Sequence, residues 1–90
     1  MKTVFSISYD LNSPGQDYDD LYEEIKKLGE WCHPLDSTWF VDSSFSAKEV
    51  RDKLESVMDN SDALIVVKAS APGAWFGLSD KLNVWLRNHL

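Results

Sequence analysis

The hydrophobic pattern of this 90-residue chain predicts an α+β domain: a four-stranded antiparallel sheet, two helices on one of its faces, and a helical appendage at the C-terminal end. Three observations carry that expectation. Val4 to Asp10 alternates strictly, with Phe5, Ile7 and Tyr9 to one side and Ser6, Ser8 and Asp10 to the other, the period of a strand with one face in a core. Two segments, 17–28 and 46–58, repeat apolar residues at helical spacing. The stretches between and after them are β-branched and aromatic, bounded by turn residues.

Taken in order, the first strand ends in Asp10, where Asn12, Ser13, Pro14 and Gly15 turn the chain. A helix is then expected from Asp17 to Leu28, with Leu21, Ile25 and Leu28 on its apolar stripe and Tyr18 and Tyr22 beside it. Asp17, Asp19, Asp20, Glu23 and Glu24 crowd its start and Lys26 and Lys27 its end, which suits the helix dipole and explains the acidic cluster without a bound cation. Gly29 is expected to close this helix in a left-handed cap. Trp31 to Leu35 reads as an edge or bulged strand because Pro34 cannot donate to a ladder, and Ser37 to Asp42 as a regular one. Ser46-Ala47-Lys48-Glu49 is a capping box that opens a second helix running to about Met58. Lys48, Arg51 and Lys53 alternate with Glu49, Asp52 and Glu55, the pattern of a solvated face rather than a basic patch. Ala63 to Val67 is nearly all apolar and is expected to be a strand buried on both faces. Residues 70–73 form a linker, Ala74-Trp75-Phe76-Gly77 an apolar island, and Ser79 caps a last helix carrying Leu82, Trp85 and Leu86.

Strand, helix, strand, strand, helix, strand is the order of a ferredoxin-like βαββαβ sandwich. The chain is expected to be one domain over 1–90, with the core at about 3–69 and the appendage at 70–90. That architecture leaves one sheet face bare, and parity alone does not say whether Trp39 lies on it. A bare face usually meets a partner, and a homodimer is the expected arrangement; the alternative is a tail that folds back over its own sheet, giving a monomer. Trp39, Trp75, Phe76 and Trp85 are the interface candidates, and at least two of the four Trp are expected in the core.

Charge and cysteine content narrow the function. Fifteen acidic residues against nine basic ones give a net charge of −6, which disfavours tight non-specific binding of DNA or RNA and suits a basic protein partner instead. One cysteine excludes an internal disulfide, and no apolar run reaches the roughly 18 residues of a membrane span; a cytoplasmic protein without membrane contact is expected. Cys32 and His33 are adjacent and would face opposite sides of a strand, and His89, the other imidazole, sits near a fraying end. Neither a structural zinc site nor cysteine catalysis is expected from them. Asp36 and Asp42, bracketing a strand, read as solubilising residues.

Ile7-Ser8-Tyr9-Asp10-Leu11, a helix ending in Leu28-Gly29, and Asp36-Ser37-Thr38-Trp39-Phe40-Val41-Asp42 together resemble the Cas-two proteins of CRISPR systems and the toxin-like virulence-associated D proteins. The likeness spans about residues 3–69. It implies a ferredoxin-like homodimer in which Asp10 is the metal-binding and catalytic carboxylate at the dimer interface, with Mg²⁺ or Mn²⁺ as cofactor. Ser8, one alternation away, would orient a phosphate oxygen. Some members are described as metal-dependent endoribonucleases or deoxyribonucleases, others as non-catalytic scaffolds. This chain departs from the pattern in the acidic start of its first helix and in its Trp-containing C-terminal helix. The second class of function is therefore a non-catalytic homodimeric interaction or regulatory module.

Overall fold

The computed structural model describes residues 2–13 and 17–90, so the Pro14-Gly15 turn lies outside the described residues. The elements are β1 (Thr3–Asp10), α1 (Asp19–Lys26), β2 (Gly29–Leu35), β3 (Thr38–Ser43), α2 (Ala47–Glu55), β4 (Ala63–Lys68) and α3 (Asp80–His89). The four strands form one antiparallel sheet in the order β2-β3-β1-β4. With α1 and α2 on one face this is the ferredoxin-like sandwich with a C-terminal helix. Phe5, Ile7 and Tyr9 of β1, with Trp39 and Val41 of β3, meet Leu21 and Ile25 of α1 and Val50 and Leu54 of α2 in the core.

The elements form for reasons visible in the chain. In α2, the Ser46 hydroxyl accepts from the Glu49 N–H at 3.1 Å, and the Glu49 carboxylate accepts from the Ser46 N–H at 2.9 Å. Two amides that the helix leaves free are thereby satisfied. Ser46→Ala is expected to cost about 1 kcal/mol in urea denaturation; a variant as stable as the parent would show that the box contributes nothing. The register of β2 shifts between Cys32 and Leu35, around Pro34, as expected of an edge strand.

Four sequence expectations are corrected. β4 is an edge strand, not an interior one: only Leu64 and Val66 face the helices, while Ile65 and Val67 are 62% and 51% exposed on the opposite face. The winding places the fourth strand outside the first, and a continuous apolar run does not reveal that. Gly29 does not cap α1. It opens β2 with extended backbone, and a Cβ there would overlap the Asp42 carbonyl oxygen on β3. Glycine is needed for close approach of two strands, not for a left-handed turn. Trp39 shares the parity of buried Val41, faces the helices and is 2% exposed, so it is a core residue and not an interface one. It is also the lone buried tryptophan, not one of at least two: Trp31 on the edge strand is 40% exposed, beneath the Lys26 ammonium, and Trp75 and Trp85 belong to the appendage.

The appendage folds back over its own sheet. Ser79 caps α3 by accepting from the Leu82 N–H, and Leu86 is buried. The helix lies against β2, beside Cys32, with Leu82 and Trp85 near that strand. A groove of about 280 Å³ between Phe40, Leu35, Trp75, Phe76 and Leu86 marks its flank. The open face is thus divided: α3 shelters the β2 side, Val4 is buried at the start of β1, and Asp10, Ile65 and Val67 stay exposed on the β1–β4 side.

Candidate functional site

The pleat brings Ser6, Ser8 and Asp10 of β1 into line with Ala63, Ile65 and Val67 of β4 on the uncovered half. Asp10 is exposed at the strand end, in an open depression of about 130 Å³ shared with Ser8, Ala63 and Ile65. The Ser8 hydroxyl is hydrogen-bonded to the Thr38 hydroxyl at 3.1 Å. The two residues singled out for catalysis therefore do lie together. A water-rich Mg²⁺ or Mn²⁺ shell needs only one or two carboxylates, so a single Asp10 fits as one half of such a site. Among the described residues Asp10 belongs to no group of three metal-ligating side chains.

The loop beyond Asp10 is fastened to the start of β4. Asp62 accepts from the Asn12 N–H at 2.7 Å, the Tyr18 hydroxyl at 2.8 Å and the Asp59 N–H at 2.8 Å. Partial burial alone would raise the Asp62 pKa, but these donors outweigh it and hold the carboxyl below its usual range. A depressed carboxyl stabilises the fold above its unfolded value of about 3.9, and that contribution is lost as pH falls through the lower folded value. Asp62→Asn is expected to melt lower at neutral pH and to lose less melting temperature between about pH 4 and pH 2. Parallel pH profiles for the two proteins would refute this.

A second constellation, which sequence reasoning missed, sits under the end of α3. Glu30 of β2 pairs with Asp42 of β3 across the ladder, and His89 arrives from the last turn of α3. Their potential ligand atoms all lie within 4.8 Å of one another. His89 Nε2 stands 2.8 Å from a Glu30 oxygen, and Nδ1 stands 2.8 Å from the Trp85 carbonyl oxygen. Burial alone would lower the His89 pKa; Glu30 and the Trp85 carbonyl outweigh it and raise the imidazole above its ordinary value. The His89 contact, with Lys2 adding to it, holds Glu30 below its own. Asp42 had read as a solubilising residue and His89 as frayed, because 59 positions separate Glu30 from His89 and no local pattern joins them.

The remaining candidates other than Phe76 take structural roles. Cys32 is buried beneath α3, and burial pushes its thiol up to about 11, so it is no nucleophile at neutral pH. His33 points the other way and stacks on Trp39 at 3.9 Å between ring centres. Phe76 is 99% exposed, whereas the Trp75 indole donates to Asn83 and Trp85 stacks on His89. No helix among the described residues is long and apolar enough to cross a membrane.

Fold and face together define a small ferredoxin-like domain whose half-open sheet ends in an exposed carboxylate. The structure is similar to the crystal structure of a hypothetical protein, TT1823, from Thermus thermophilus, with a TM-score of 0.67 and 17% identity, covering 87% of this chain and 94% of that one. That likeness supports the fold. No protein-family model matches the chain, and no curated protein does.

Proposed function

We propose that the chain works in the cytoplasm as a homodimeric, metal-dependent endonuclease of the Cas-two and virulence-associated D kind, with RNA or DNA as substrate. What supports this reading is one observation: Ser8 and Asp10 stand on the uncovered half of the sheet, flanked by the exposed apolar side chains of Ile65 and Val67. Apolar residues of this kind favour burial against a second copy, which would bring a second Asp10 to the same face. Two carboxylates of opposing chains would hold Mg²⁺ or Mn²⁺, and such an ion supplies an activated water and neutralises charge on a scissile phosphate. The Ser8 hydroxyl would donate to a phosphate oxygen, its proton being free for this when Thr38 is the donor of the Ser8–Thr38 hydrogen bond.

The test is cleavage of RNA, single-stranded DNA and duplex DNA with Mg²⁺, Mn²⁺ or chelator, alongside oligomeric state by light scattering. Asp10→Asn is expected to lose about a hundredfold or more in metal-dependent cleavage while remaining folded and dimeric. Equal cleavage by parent and variant would sink the reading. A second reading rests on the net charge of −6, which repels nucleic acid: a non-catalytic homodimeric module that holds a basic protein partner. A dimer that cleaves nothing under any of these conditions would favour it.

A further inference from the structure

We propose that Glu30, Asp42 and His89 form a binding site for a divalent transition-metal cation of the zinc class, which fastens α3 to the sheet. The site is separate from Asp10 and does not depend on the nuclease reading. Its three donors come from three elements: Glu30 from β2, Asp42 from β3 and His89 from α3.

The hydrogen bonding of His89 is the strongest reason for a cation. A neutral imidazole carries one N–H and one lone pair. Both ring nitrogens here face acceptors at 2.8 Å, the Trp85 carbonyl at Nδ1 and the Glu30 carboxylate at Nε2. With the N–H given to the carbonyl, the Nε2 lone pair is directed at a carboxylate oxygen, an arrangement relieved either by a second ring proton, which makes an imidazolium–carboxylate pair, or by a metal ion taken between the two. Donation of one ring N–H to a backbone carbonyl is also how metal-binding histidines are held in the required tautomer. The ring is fixed further by stacking on Trp85, at 3.8 Å and 12° between planes.

Donor set and mobility fit as well. One imidazole nitrogen and two carboxylate oxygens, with water completing the shell, suit Zn²⁺ or Mn²⁺, and the absence of sulfur disfavours softer ions. Ligand atoms about 2.0–2.2 Å from a tetrahedral ion stand roughly 3.3–3.5 Å apart. The present cluster must therefore open at its 2.8 Å contact to admit an ion. Glu30, whose side chain is 63% exposed, is free to turn, whereas His89 at 16% is held.

The test is calorimetric titration of the full chain at neutral pH with ZnCl₂, and with CoCl₂ followed by visible absorption. The Asp10→Asn protein is expected to take up one ion per chain and to melt higher with zinc present. Glu30→Gln and His89→Gln, each made in an Asp10→Asn background so that the Asp10 carboxylate takes no ion, are each expected to weaken binding about tenfold or more relative to Asp10→Asn alone. Glu30 is exposed, so its variant should fold even if His89→Gln does not; far-ultraviolet circular dichroism checks both. No uptake by the parent at about a hundredfold excess of metal would overturn the proposal and leave a plain imidazolium–carboxylate pair. Undiminished affinity after Glu30→Gln in that background, or loss of uptake on Asp10→Asn alone, would overturn it equally.

Discussion

Trp39→Ala is expected to lower the unfolding free energy by about 3–5 kcal/mol, a large share of the roughly 5–10 kcal/mol that a domain of this size commands. The indole is the hub of an aromatic layer. It stacks on Tyr22 of α1 at 6.1 Å and meets Trp31 at 5.2 Å and His33 at 3.9 Å on β2, and its N–H donates to the Tyr9 hydroxyl at 2.9 Å. Truncation removes the contact joining α1, β1, β2 and β3 and leaves a cavity that edge strand β2 cannot readily fill. Trp39→Phe keeps much of the ring and loses the donor, so a smaller loss of about 1–2 kcal/mol is expected. Urea denaturation followed by circular dichroism measures both. A loss below about 1 kcal/mol for the alanine variant would mean that the layer is not the core.

Gly29→Ala is the second large effect. A methyl group at this position would overlap the Asp42 carbonyl oxygen and press on the Ser43 Cα, both main-chain atoms of β3 that cannot rotate aside. The first pair of the β2–β3 ladder, Gly29 with Ser43, must separate to admit it. The expected cost is about 3 kcal/mol or more, at the upper end for overpacking because the obstacle is backbone. The same displacement would part Glu30 from Asp42, so the variant should lose zinc uptake together with stability. An alanine variant as stable as the parent would show that the two strands are not so close.

The first strand was legible because its period of two matches the burial of Phe5, Ile7 and Tyr9, and α2 because its capping box is a local signal. The run at Ala63–Val67 misled because hydrophobicity without alternation does not distinguish an interior strand from an edge strand whose outer face is apolar. Trp39 was ambiguous for a different reason: parity sorts a strand into two rows but does not say which row the helices cover. At the site, Asp10 and Ser8 could be paired from one strand alone. Glu30, Asp42 and His89 could not, since the fold brings them together only after α3 has come back to β2.

The placement of α3 has a geometric consequence for assembly. Because the helix packs against β2, it raises that side of the sheet face above the exposed side chains of Asp10, Ile65 and Val67. A second sheet brought flat against this face would meet that helix first. The homodimer proposed above would therefore have to be a staggered one that overlaps β1 and β4. A C-terminal helix that covers half a sheet thus also fixes the offset at which anything can lie on the other half.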